Sequence, residues 1–232
     1  EDMQDLTWDE YLALGEKLKE KGHMLQTYNP NDIAEFQIML QSTGKWFTDN
    51  DGNADFTNND ALKECYDVFK KLNESDFCQV VSDWTGFAGA INNGDVACVM
   101  RGSWITSTIM SADDQSGKWK MAPIPKMSTD SATHYSNQGG SSWFVLKNSK
   151  NADAAAKFLA DTFGGSTELY DSLMKSNNII GTYLPAADIE AVNTESEFFS
   201  GQQINKTLVD WEAQIPSVNT GAFSAEAQSA LL

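Results

Sequence analysis

Histidine, cysteine and proline are scarce in this chain: two, three and five residues among 232. Each scarcity narrows the chemistry. Cys65, Cys78 and Cys98 form no C-x-x-C pair, so neither a disulfide framework nor a metal-ligand spacing is expected. Cys65 and Cys98 fall in apolar patterns and read as small buried hydrophobes. His23 follows a helix-ending glycine and His134 lies in a polar loop, so both are expected to face solvent rather than act as bases. There is no G-x-S-x-G elbow and no Walker-type loop, and Gly139-Gly140 and Gly164-Gly165 are too generic to cradle phosphate. No apolar run approaches the roughly 18 residues of a membrane-spanning helix, and the chain does not open on a signal peptide. Positive charge is also short: 16 Lys and Arg face 33 Asp and Glu, a formal net charge of -17 without a basic cluster. Such a field repels nucleic-acid phosphates and anionic membranes, and neither partner is expected.

The most informative segment spans residues 91–109, INNGDVACVMRGSWITSTI. An Asn93-Gly94 turn precedes the apolar run Val96-Ala97-Cys98-Val99-Met100, which reads as a strand buried on both faces. Gly102 lets the chain turn at the strand end, and Ser103 is placed to cap the next helix. Ligands in open α/β sheets lie beyond the carboxyl ends of strands. Trp104 and Arg101 sit at such an end, with a ring to stack and a fork of donors, as a sugar requires. The alternative is that Trp104 only plugs the sheet edge and Arg101 is a surface charge.

Elsewhere the pattern alternates short strands with many helices, which indicates an α/β fold. Thr7-Trp8-Asp9-Glu10 is a capping box opening a helix that Gly22 ends. Residues 24–28 form a short strand running into Asn29-Pro30-Asn31-Asp32, and Ile33, Phe36, Met39 and Leu40 mark the next helix. Trp46-Phe47, an Asp-Asn-Asp-Gly turn and Phe56 predict a hairpin; the turn lacks the remaining ligands of a calcium loop. A long helix is expected from Thr57, with strands at 119–121 and 143–146. Ser149 should open a helix burying Ala155, Phe158, Leu159 and Thr162, and two further helices carry Leu169, Tyr170, Leu173 and Ile204, Leu208, Trp211. The last helical pattern closes on Ala-Leu-Leu uncapped, so the chain reads as an excerpt of a longer protein.

Binding chemistry fits these residues better than catalysis. Trp104, Trp84 and Phe223 lie at element starts or in loops, while Asn29 and Asp32 lie where a strand ends. Rings for pyranose faces, with Asn, Asp and Arg for hydroxyl edges, make up a saccharide site. The competing reading gives Asn29 and Asp32 turn and capping duty and makes Trp84 and Phe223 packing residues. Two other functions stay open: a glycoside hydrolase using a carboxylate pair, and a receptor for a polyamine or other cation drawn by the acidity. No metal or cofactor is implied.

The order of motifs resembles the carbohydrate-binding solute-binding proteins of ATP-binding-cassette importers, the maltose-binding-protein superfamily. The carriers are Thr7-Trp8-Asp9-Glu10, Gly44-Lys45-Trp46-Phe47, Ala90-Ile91-Asn92-Asn93-Gly94, Arg101-Gly102-Ser103-Trp104, Gly139-Gly140 before Trp143-Phe144-Val145, and Ser149-Lys150-Asn151 before Phe158-Leu159. The resemblance implies a periplasmic-binding-protein-like (type II) α/β fold, with a short mixed sheet flanked by helices and a sugar cleft between two lobes. Residues 1–137 and 183–232 would form the C-terminal lobe; residues 138–182 would return to an N-terminal lobe that is mostly missing here. It further implies a non-enzymatic, monomeric receptor outside the cytoplasm, periplasmic or lipid-anchored, delivering a mono- or oligosaccharide to membrane permease subunits. Trp104 matches the family's stacking tryptophan. Asp32 and Trp84 fall near an acidic and an aromatic ligand contact, and Phe223 near the aromatic that begins the last helix. The family often has a plainer residue at Arg101.

Overall fold

The computed structural model describes residues 3–230; Leu231 and Leu232, part of the closing helical pattern, lie outside the described residues. The chain enters through α1 (Trp8–Glu20), where Thr7 Oγ1 accepts from the Glu10 amide and Glu10 reaches back to the Thr7 amide. This reciprocal cap satisfies two amides left free by the helix geometry. Trp8 and Tyr11 point inward on the face that meets the core.

Next come β1 (Gln26–Tyr28), α2 (Ala34–Ser42), α3 (Asp60–Glu74) and β2 (Cys78–Val80). β1 and β2 run parallel, with Gln26 opposite Cys78 and Tyr28 opposite Val80. A third segment runs parallel beside the start of β1: Met24 bridges Val96, and the amides of Ala97 and Cys98 donate to the carbonyls of Met24 and Leu25. All three segments therefore point the same way and end on one edge. That edge positions the site.

The main core lies between this layer and α1–α3, where Phe36, Met39, Leu40, Phe47 and Cys65 are fully enclosed. Fully burying a side chain of this size contributes roughly 1.5–3 kcal/mol each. A second core gathers Phe87 and Ile91 of α4 (Trp84–Asn92) with Ile105, Ile109, Phe199 and Ile204. The short 3-10 turn Ser103–Ile105 runs into α5 (Thr106–Met110). Beyond these lie α6 (Ala152–Asp161), α7 (Thr167–Asn177), α8 (Ile204–Glu212) and α9 (Ser224–Ser229).

Several expectations need correction. Residues 96–100 are not a doubly buried strand: only Val96 is buried, because the segment lies at the layer's margin and diverges after Cys98. Residues 119–121 form no strand, since the Gln202 side chain bonds both the amide and the carbonyl of Met121 in place of a ladder. Residues 143–146 form none either. Trp143, Phe144 and Leu146 are exposed, and α6 buries no residue, so Phe158 is left in solvent. Trp143 does stack on Phe163, just beyond α6, with ring centroids 5.1 Å apart, yet stays largely exposed. α3 is capped by Asn59 rather than Thr57, because Asn59 Oδ1 accepts from the Leu62 amide while its Nδ2 donates to the Trp46 carbonyl. Ser103 makes no side-chain cap. His134 is mostly enclosed, with Nδ1 2.8 Å from the Ile124 carbonyl and Nε2 2.9 Å from Asp5. The hairpin is present, closed by an antiparallel bridge between Thr48 and Ala54.

Candidate functional site

Each parallel segment delivers one part of the site as it ends. After β1, Asn29 shapes a turn: its Oδ1 accepts from the Asn31 amide at 3.0 Å and its carbonyl from the Asp32 amide at 3.1 Å. Asp32 then makes a side-chain turn just ahead of α2, with Oδ1 accepting from the Ala34 amide at 2.9 Å, while Ile33 at the cap position makes no side-chain bond. Turn duty is therefore real for both residues. It leaves the Asp32 side chain 40% exposed, so it still presents acceptor capacity to solvent.

After β2, Asp83 caps α4 through the Gly86 amide, and Trp84 stands as the first helical residue. Its ring stacks on Phe87 at 5.4 Å, and more than half of its surface stays exposed. After the third segment comes Trp104. Its indole lies 5.8 Å from that of Trp84, inclined by 42°. Trp104 Nε1 donates to the Gln138 carbonyl at 3.4 Å, and the Gly102 amide donates to Gln138 Oε1 at 3.3 Å. A side chain at Gly102 has no room, because its Cβ would fall 2.4 Å from that same carbonyl.

Arg101 behaves differently from the expectation. Its side chain is only 5% exposed, so it offers no fork of donors to a ligand. Nη1 donates to Glu35 Oε1 and to the Met100 carbonyl, and Nη2 donates to Asp32 Oδ2 at 3.1 Å. The guanidinium also lies 4.8 Å above the Phe87 ring, a cation–π contact beneath Trp84. One buried cation thus touches the carboxylate and the ring stack together.

Burial pushes the Glu35 carboxyl up from its ordinary value, against the pull of Arg101. Sequence reasoning missed Glu35, Phe87 and Gln138 as members of this cluster. The signal for Glu35 was present: a lone carboxylate in the apolar run AEFQIML, three residues after Asp32. Phe223 is placed by other contacts. It is 71% exposed and precedes α9, whose Ser224 accepts from Trp46 Nε1 at 2.8 Å.

The cluster holds rings, one partly exposed carboxylate and a buried cation, but no histidine or cysteine nucleophile. Among the described residues no group of three or more His, Cys, Asp or Glu side chains is placed to hold a metal ion. Residues 3–200 match the family described as bacterial extracellular solute-binding protein. The chain belongs to that family. Across its full length it is 37% identical to a lactose-binding protein of Rhizobium radiobacter, covering 55% of that protein. It is 21% identical to an arabinooligosaccharide-binding protein of Halalkalibacterium halodurans, with 94% of this chain and 50% of that protein aligned.

Two solved solute-binding proteins share the fold. One is the galacto-N-biose-/lacto-N-biose I-binding protein of the ABC transporter from Bifidobacterium longum, in complex with lacto-N-biose. It superposes with a TM-score of 0.71 at 21% identity, over 94% of this chain and 54% of that one. The other, an extracellular solute-binding protein of family 1, gives 0.69 at 17% identity, over 96% and 56%. This solute-binding chain spans about half the length of the relatives it matches. The periplasmic-binding-protein-like fold read from the motif order is the fold observed.

Proposed function

We propose that the chain forms part of an extracytoplasmic receptor that captures a sugar or oligosaccharide and delivers it to the permease subunits of an ABC importer. The observation that carries this reading is the Trp84–Trp104 pair, standing exposed at the strand ends that also place Asp32. Apolar pyranose faces stack on indole rings, and a carboxylate accepts from sugar hydroxyls. The saccharide names of the relatives support the ligand class. Trp104, Trp84, Asp32 and Asn29 are the proposed ligand-side residues, and Arg101 acts behind them. Phe223 is a further exposed ring that a ligand or a second lobe would cover.

The hydrolase alternative is disfavoured, because Asp32 and Glu35 both bind Arg101 and neither is left as a free acid. A polyamine receptor is disfavoured by the same buried cation. We also propose that residues 138–182 pack with an N-terminal lobe, which accounts for the exposed Trp143, Phe144, Leu146 and Phe158. The family's description as extracellular supports a location outside the cytoplasm, and no described helix is long and apolar enough to cross a membrane. A monomer is expected. Calorimetry of the complete protein with lactose, lacto-N-biose and spermidine, with product analysis for cleavage, tests the reading. Heat of binding with a saccharide and no cleavage supports it; cleavage, or binding of spermidine alone, overturns it.

A further inference from the structure

We propose that Glu35 is a positioning residue whose buried carboxylate, acting through Arg101, holds Asp32 and the Phe87–Trp84–Trp104 stack in the arrangement that receives the ligand. This rests on the saccharide reading of the site. Glu35 itself is 4% exposed and does not reach the surface. It lies in the first turn of α2, whereas Arg101 follows the third parallel segment, so their contact ties two elements across 66 positions of chain. Arg101 then divides its donors among Glu35, Asp32 and the Met100 carbonyl while covering Phe87.

A buried guanidinium needs a full complement of acceptors. With Glu35 neutral, Arg101 keeps Asp32 as its one charged partner, which draws the Asp32 carboxylate inward and shifts the cation over Phe87. The ring stack moves with it. The groups facing Glu35 are few: Asp32 from the β1–α2 turn, Arg101, Tyr28 of β1, Tyr11 of α1 and Cys78 of β2. Burial raises the Glu35 carboxyl above the ordinary glutamate value, so this carboxylate gains its proton at a higher pH than an ordinary glutamate.

Two measurements on the complete protein test the inference, one of them free of ligand. In the first, the Trp104 indole N–H resonance, assigned by its loss in Trp104→Phe, is followed from pH 7.5 downward. It should shift with a midpoint above the ordinary glutamate range in wild type and stay flat in Glu35→Gln. In the second, calorimetry with lactose and with lacto-N-biose should show affinity falling through the same window in wild type. Glu35→Gln should bind about tenfold more weakly at neutral pH, without that step. A resonance that ignores pH in wild type, or titrates alike in both proteins, overturns the role of Glu35. If the resonance behaves as expected but neither sugar binds, the positioning role stands and the saccharide reading falls. Should Glu35→Gln not fold, direct titration of the Glu35 side-chain carboxyl carbon in wild type takes its place: a midpoint matching that of the Trp104 indole supports the role, and a different midpoint, or a flat indole, overturns it.

Discussion

Trp84 and Trp104 open helical turns after two different parallel segments, yet their indole centroids meet at 5.8 Å with the rings inclined by 42°. The inclination matters. Rings at this angle leave each face partly free, whereas a flat stack would satisfy both rings against each other. Trp84 is the more exposed of the two and is backed by Phe87. Trp84→Ala should therefore weaken saccharide binding by about 1–2 kcal/mol, roughly five- to thirtyfold, without loss of folded structure. Calorimetry checks the first part and circular dichroism the second.

Arg101 makes a sharper prediction about stability. Replacing it with Met strands the Glu35 carboxylate in the core, which should cost about 3–5 kcal/mol in urea unfolding. Exchanging both partners, as Arg101→Met with Glu35→Leu, removes the uncompensated charge and should recover most of that loss. Sugar affinity should not recover, because Asp32 still lacks the cation that orients it.

Gly102→Ala tests the close approach beneath Trp104. The added methyl would sit 2.4 Å from the Gln138 carbonyl and 2.7 Å from Trp104 Nε1. Relief requires moving residues 138–139 or rotating the indole. We expect a destabilisation on the order of 1–3 kcal/mol, typical of overpacking, together with a shifted Trp104 fluorescence. Unchanged unfolding and emission would mean that this contact is slack.

A separate carboxylate gives a pH prediction. Burial raises the Glu64 carboxyl, but hydrogen bonds from Ser128 and Thr129 outweigh it, so its pKa lies below the ordinary 4.5. A depressed carboxylate contributes stability that is present above the unfolded-state value and lost as pH falls through the folded one. Urea midpoints measured from pH 7 to pH 3 should decline below about pH 4.5 in wild type. Glu64→Gln should start lower at pH 7 and lose part of that decline.

Much of the fold was legible because its signals are local. Thr7 and Glu10 cap α1 by their spacing alone, and Asp49 to Gly52 turn the hairpin as read. The strand end that places Asn29 and Asp32 was found for the same reason, and so was the turn before Trp104; β2, which leads to Trp84, was not, because Asp83-Trp84 reads as the end of a loop. What stayed hidden is non-local. An apolar run such as 143–146 reveals that its side chains avoid water, but not which part of a protein covers them. The same holds for 96–100, where Val96 is buried, Ala97 exposed and only Cys98, Val99 and Met100 half-buried at the layer's margin. Arg101 read as a ligand fork because its partner Glu35 stands 66 positions away. No periodicity reports such a pairing.

On the proposed reading, the indole at the end of the third parallel segment holds a saccharide. Its most direct test is isothermal titration of the complete protein and its Trp104→Ala variant, side by side, with lactose and lacto-N-biose. The account predicts measurable saccharide binding in wild type and a loss on the order of 1–4 kcal/mol in the variant, several-fold to a thousandfold in affinity. Equal affinities in the two proteins, or no saccharide heat in wild type, would contradict it.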